Sequence, residues 1–82
     1  MTFTEFVKNL DELGFSREAY RINEGGGMDG QYIIQHDGEI TKVFQMERGI
    51  KHDYKEFHNK EEGMNYLIKI MSPNPTTRQN FE

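Results

Sequence analysis

The sequence predicts an α+β fold: an antiparallel sheet of three to four strands, in the order α-β-β-β-(β)-α, with the two helices packed on one face. Three observations carry this expectation. Apolar residues recur at three- and four-residue spacing near both ends of the chain. Between them, short stretches alternate apolar and polar residues, as half-buried strands do. Glycine-containing turns divide those stretches and make sequential strands neighbours.

The first helix is expected from Thr4 to Leu13, with Phe6, Val7, Leu10 and Leu13 forming one stripe. Thr2 or Thr4 can cap its start, and Glu5 suits the positive end of the helix dipole. Gly14 stands where a left-handed closing residue is wanted, and Phe15 can fold back on the last turn. In "EAYRIN", residues 18–23, Tyr20 and Ile22 alternate with Arg21 as a first strand.

The next stretch, "NEGGGMDG", contains Gly25-x-Gly27-x-x-Gly30, the letters of a dinucleotide-binding loop. That loop works because a helix opens directly behind the glycines and its amides hold the pyrophosphate. Here Gln31-Tyr32-Ile33-Ile34-Gln35 follows, a β-branched and aromatic run, and Glu24 and Asp29 would repel a phosphate. The stretch is therefore read as an acidic hairpin loop with Asp29 at its tip and Met28 beside it.

"QYIIQH" makes the second strand, with Tyr32 and Ile34 on one face and Ile33 on the other. Asp37-Gly38 predicts a two-residue turn with positive φ at both positions. The third strand, "EITKVFQME", puts Ile40, Phe44 and Met46 on one face and Val43 on the other. Arg48-Gly49 breaks it, and "HDYKEF" supplies a fourth. Asn59 caps the second helix, whose stripe is Met64, Leu67, Ile68 and Met71, and Ser72-Pro73 stops it. Gly63 lies within this helix at a cost of about 1 kcal/mol relative to Ala. Residues 1–71 are thus one domain, and 72–82 a polar, mobile tail. One sheet face is left open to water or to a partner, with Ile33 and Val43 on it.

A chain of 82 residues makes one small domain, burying roughly 60–65% of the surface its unfolded form exposes. A deep catalytic cleft would compete with the core for few apolar side chains. No cysteine is present, which excludes disulfides and thiolate metal sites. Neither a signal peptide nor a long apolar run is seen, and a cytoplasmic location is expected. The net charge is −4, and it is uneven. Residues 1–40 carry eight acids and three bases, whereas residues 41–82 carry six acids and seven bases. An acidic half suits a basic protein partner better than nucleic acid.

The residues hold no catalytic constellation, so no enzyme, cofactor or metal is expected. His36, His52 and His58 are the candidates for proton transfer near neutral pH. In a regular strand His52 and His58 share a face about 20 Å apart, too far to ligate together. The hydroxyls lack a nucleophile's context, and no carboxylate pair stands out. Helix–three strands–helix is also the order of double-stranded RNA-binding domains. Those need a basic start to the second helix, where this chain has Asn59-Lys60-Glu61-Glu62.

From Tyr20 to Met71 the sequence resembles the small immunity proteins of bacterial polymorphic-toxin and contact-dependent growth inhibition systems. The shared features are the tyrosine strand and glycine loop "YRINEGGGMDGQYII" and the turn Glu47-Arg48-Gly49. The strand end Lys55-Glu56-Phe57 and the closing helix "NKEEGMNYLIKIM" complete them. The resemblance implies a non-enzymatic inhibitor, monomeric or weakly dimeric, that binds and neutralises its own toxin domain. That partner would be basic, a nuclease in many such systems. Contact candidates are then the anchors Tyr32, Arg48 and Tyr54, surrounded by Glu24, Asp29, Asp37, Glu39 and Asp53. The alternative is a small structural or regulatory domain that self-associates through its open sheet face.

Overall fold

The structure is a computed structural model that describes residues 2–23 and 30–79. Helix α1 spans Phe3–Glu12 and opens with a capping box. The Thr2 hydroxyl accepts the Glu5 N–H at 3.1 Å, and the Glu5 carboxylate accepts the Thr2 N–H at 3.3 Å. The backbone bond from Thr2, then the bond from its hydroxyl, holds the Glu5 carboxyl below its ordinary value. At the other end the Phe15 N–H bonds the Leu10 carbonyl and the Gly14 N–H bonds that of Asp11, the pattern of a Schellman close. This close draws Phe15 into the core beside Phe6 and Leu10. Leu13, expected on the apolar stripe, is the C-cap and is 48% exposed. Phe15 fills the place expected for it.

Four strands follow: β1 (Tyr20–Ile22), β2 (Tyr32–Asp37), β3 (Ile40–Glu47) and β4 (Ile50–Phe57), side by side in that order. β2–β3 and β3–β4 are antiparallel, but β1 runs parallel to β2, with Tyr20 opposite Tyr32 and Ile22 opposite Ile34. The sheet is therefore mixed, and the glycine stretch does not join a hairpin; its residues 24–29 lie outside those described. A three-residue strand is too short for its own pattern to fix its direction. What fixes it is burial and the bonds at its ends. Tyr20 and Tyr32 both enter the helix-facing core, the Asn23 N–H bonds the Ile34 carbonyl, and the buried Gln31 side chain donates to the Glu18 carbonyl at 2.8 Å.

Helix α2 (Lys60–Met71) starts at Asn59, whose side chain accepts the Glu61 N–H at 2.8 Å. It lies across β2, β3 and β4, and Met64, Leu67 and Met71 join Phe6, Leu10, Ile34 and Val43 in one core. α1 and α2 thus cover the same face. Val43 and the fully buried Thr41 point to the helices, while Phe44 points away. The expectation that Val43 shares the open face with Ile33 is corrected: the two are on opposite sides. Gly63 has a packing reason. A Cβ there would lie 2.5 Å from Cγ2 of Thr41 and 3.3 Å from its Cβ. Only a residue without a side chain lets α2 lie this close to β3.

Residues 72–79 are not the mobile tail expected of them. Pro75–Thr77 forms a short 3-10 turn, and Thr77 is buried. Its hydroxyl donates to the carbonyls of Met71 and Asn74, and its own carbonyl accepts the Ser16 N–H at 2.7 Å. Arg78 lies 4.2 Å over the Phe15 ring and donates to the Leu13 carbonyl at 2.9 Å. The segment straps the end of α1 to the end of α2. Hydroxyl and amide side chains did this without any apolar signal. Residues 80–82 lie outside those described.

Candidate binding surface

The two hairpin turns are built differently. Asp37 pairs with Ile40, so the β2–β3 turn is Gly38-Glu39 rather than Asp37-Gly38. Only Gly38 has a positive φ, +63°, as in a type II′ turn. Glu47 pairs with Ile50, and the β3–β4 turn is Arg48-Gly49, with φ of +54° and +76°. Positive φ at both positions is the type I′ pattern, which favours Asn, Asp or Gly. An arginine there holds a left-handed backbone at a cost of about 1–2 kcal/mol.

A second irregularity lies in β4. Val43 pairs with Lys55 and Gln45 with His52, so Asp53 and Tyr54 together oppose Phe44. This is a β-bulge, with Asp53 left-handed at φ +56°. Tyr66, on α2, donates to the Asp53 carbonyl at 2.9 Å and holds the bulge from the helix side. Burial, then the nearby Asp53 charge, raises the pKa of the Tyr66 hydroxyl. The extra residue inverts the alternation along the strand. His52 and Phe57 pair with Gln45 and Thr41, residues of one face, so the even alternation that set His52 and His58 together does not hold.

The bulge turns Tyr54 onto the face away from the helices. There its ring stacks on Phe44 with centroids 5.9 Å apart. The Lys51 ammonium lies 4.9 Å from the Phe44 ring centre and 5.4 Å from that of Tyr54, a favourable cation–π arrangement. The Tyr54 hydroxyl donates to the Glu56 carboxylate, and this bond, with lesser burial and charge effects, raises its pKa. Phe44 and its cross-strand partner Ile33 are buried although no described helix covers this side. Tyr54 remains 42% exposed; Ile50, 60% exposed beside the strained turn, pairs with Glu47 and so lies on the opposite, helix-side face. Register puts Arg21, Lys42 and Lys51 on this face, and Arg48 at its end. The same register puts Glu56 and Asp37 on this face, so the aromatic pair sits among charges of both signs.

The predicted contact residues do not form one patch. Arg48, Asp53 and Tyr54 belong to the β3–β4 hairpin. Asp37 and Glu39 are exposed at the opposite end of β3, near the start of α2. Tyr32 is 5% exposed and faces the core, with its hydroxyl 3.3 Å from Asn74 Nδ2, so it cannot be a surface anchor. Glu24 and Asp29 lie outside the described residues. Ile50, Lys51 and the supporting Phe44 were missed. Their signal was present in "FQMERGIKHDY", where cations and apolar residues interleave, but Tyr54 joins Lys51 and Phe44 on one side only because of the bulge.

Among the described residues no group of His, Asp and Glu is placed to hold a metal ion. The His36 Nδ1 is 2.8 Å from the Thr41 hydroxyl, and the His36 N–H donates to the Asn23 side chain. A shallow depression outside α1 is lined by Thr4, Glu5, Val7, Lys8, Asp11 and Arg17. Arg17 bonds Asp11 there at 2.6 Å and holds its carboxyl below the ordinary range. No described helix is long and apolar enough to cross a membrane. Comparison with protein-family models, with curated proteins and with solved structures finds no match to this chain.

Proposed function

We propose that the protein acts by stoichiometric contact with another protein, as an immunity protein that binds and neutralises a bacterial toxin domain in the cytoplasm. The observation that carries the reading is the β3–β4 hairpin. It holds two exposed anchors, Ile50 and Tyr54, on backbone that is strained at Arg48 and Asp53 and pinned by Tyr66. Strain that the surrounding structure over-determines is concentrated at functional positions. Rigid, amphipathic anchors lower the entropic cost of binding. The segments that resemble immunity proteins, Glu47-Arg48-Gly49 and Lys55-Glu56-Phe57, lie on this same hairpin. Acidic groups at the other end, Asp37 and Glu39, suit a partner that is basic overall, such as a nuclease, and would speed encounter.

Co-expression with the toxin domain encoded beside its gene tests the reading. Restored growth and a one-to-one complex on size exclusion are expected; continued toxicity together with separate elution would reject it. One observation favours a second reading, self-association: β4 is an exposed edge strand eight residues long. Val43 no longer supports it, and the bulge and lysines of β4 are features that discourage edge pairing. A single monomeric species at high concentration would remove it.

A further inference from the structure

We infer that the depression beside α1 is a binding site for a small organic carboxylate, and that the buried Tyr20 hydroxyl donates to it. The site is separate from the contact surface proposed above, because β1, which begins at Tyr20, forms the sheet edge opposite β4.

Among the described residues, the Tyr20 hydroxyl is the one buried side-chain polar group with no hydrogen-bond partner. The residue is 5% exposed and packs in the core, where phenylalanine would fill the same space without taking a hydroxyl out of water. Such a group loses its hydration and gains nothing in return, so a buried orphan in a native fold calls for a reason. Tyr20 closes the 3-10 turn that starts at Arg17. Arg17 bonds Asp11, and the two line the depression together. Burial, then the Asp11 charge, raises the pKa of the Tyr20 hydroxyl, with the Arg17 charge opposing. The hydroxyl is thus a protonated donor at neutral pH, within the field of the Arg17–Asp11 pair. An occupant seated against that pair meets it from the depression side.

The groups around the depression set the occupant's chemistry. Its acceptors are engaged: Asp11 takes Nε and Nη2 of Arg17, and Glu5 takes the N–H and hydroxyl of Thr2. Its donors have capacity left. Nη1 of Arg17 takes no part in the bond to Asp11, and Lys8 is in no ion pair among the described residues. With the Tyr20 hydroxyl these make three donors, and a carboxylate is an acceptor that can meet several donors at once. Glu5 and Asp11 repel further negative charge, which favours a monoanion over phosphate. Val7 and the stems of Lys8 and Arg17 give the occupant's carbon body an apolar wall. The volume, about 500 Å³, is that of a small-molecule site.

Titration of the isotope-labelled protein with sodium butyrate, at constant pH and ionic strength, tests the site through backbone amide shifts. Saturable shifts are expected at Lys8, Asp11, Arg17 and Tyr20, and smaller ones with inorganic phosphate. Tyr20→Phe and Lys8→Gln should each weaken binding by about tenfold, the worth of one charge-assisted bond. The unfolding midpoint of Tyr20→Phe should hold or rise, because the unpaired hydroxyl is gone. Shifts that never saturate, the mark of an adventitious ion only, would overturn the inference. Unchanged binding by Tyr20→Phe, or tighter binding of phosphate, would do the same. A lower midpoint for Tyr20→Phe would also overturn it, since the hydroxyl would then serve the fold.

Discussion

The two ends of the sheet solve the same problem, turning a chain through two residues, in opposite ways. At the β2–β3 end the turn falls on Gly38, and although Asp37 and Glu39 are exposed, the residues behind them are tied to the fold. Gly63 of α2 rests on Thr41, Thr41 bonds His36, and the His36 N–H bonds Asn23. At the β3–β4 end left-handed positions fall on Arg48 and Asp53 as well as on Gly49, and the side chains of Ile50 and Tyr54 are exposed. The first end sets glycine at its turn and ties its own left-handed non-glycine, Asn23, to His36. The other holds an arginine and an aspartate in backbone conformations that cost an L-residue. On the binding reading proposed above, the contrast marks the β3–β4 end as the one kept for contact.

The largest effect is expected at the tied-down end. Gly63→Val must push the Thr41 methyl or α2 itself aside, and overpacking of this kind costs about 3 kcal/mol at its upper range. Gly63→Ala should cost about 1–2 kcal/mol, because a helix gain of about 1 kcal/mol offsets part of the clash. Each kcal/mol lowers the midpoint of a domain this size by about 4–8 °C. Thr41→Ser removes the obstructing methyl but keeps the hydroxyl for His36, so most of the Ala loss should vanish in the double variant. Additive losses in thermal melts would show that close approach is not why residue 63 is glycine.

The turns themselves give a pair of predictions with opposite signs. Gly38→Ala should destabilise by about 1–2 kcal/mol, the cost of a left-handed L-residue. Arg48→Gly should stabilise by about 1 kcal/mol as that same strain is released, while binding to the partner weakens. Urea midpoints check both. If Arg48→Gly is destabilising, the arginine serves the fold and the contrast between the ends collapses.

The ease with which each end could be read from the sequence differs for the same reason. Phe6 and Leu10 on α1, and Met64, Leu67 and Met71 on α2, announce their faces because a helix repeats its pattern over several turns. The turn at residues 38–39 was found within one residue because glycine marks it. The bulge was not found, since aspartate accepts a left-handed backbone without requiring it, and one extra residue reverses every side chain beyond it. That single residue hid Tyr54 and Lys51 as partners on one face. The parallel pairing of β1 was hidden because Tyr-Arg-Ile is too short to choose a direction. Residues 72–79 were read as a tail because Thr77 is buried and Arg78 anchored through hydrogen bonds and a ring contact, which hydropathy does not register.

The smallest effect concerns the bond that sets the exposed ring. The Tyr54 hydroxyl donates to Glu56, which raises its pKa in the folded protein above the unfolded value near 10. A group raised on folding contributes stability that is fully present below its unfolded pKa. That contribution is lost as pH rises through the folded pKa. The protein should therefore lose more stability between pH 9 and pH 11 than its Tyr54→Phe variant, by a small margin because the pair is exposed. Tyr20 and Tyr66 are raised as well, but they titrate in both proteins, so the difference isolates Tyr54. Equal losses in urea melts at the two pH values would mean that Glu56 does not hold the ring in solution. The strained hairpin would then present a mobile tyrosine, and the low entropic cost of binding attributed to this end would have to come from Ile50 alone.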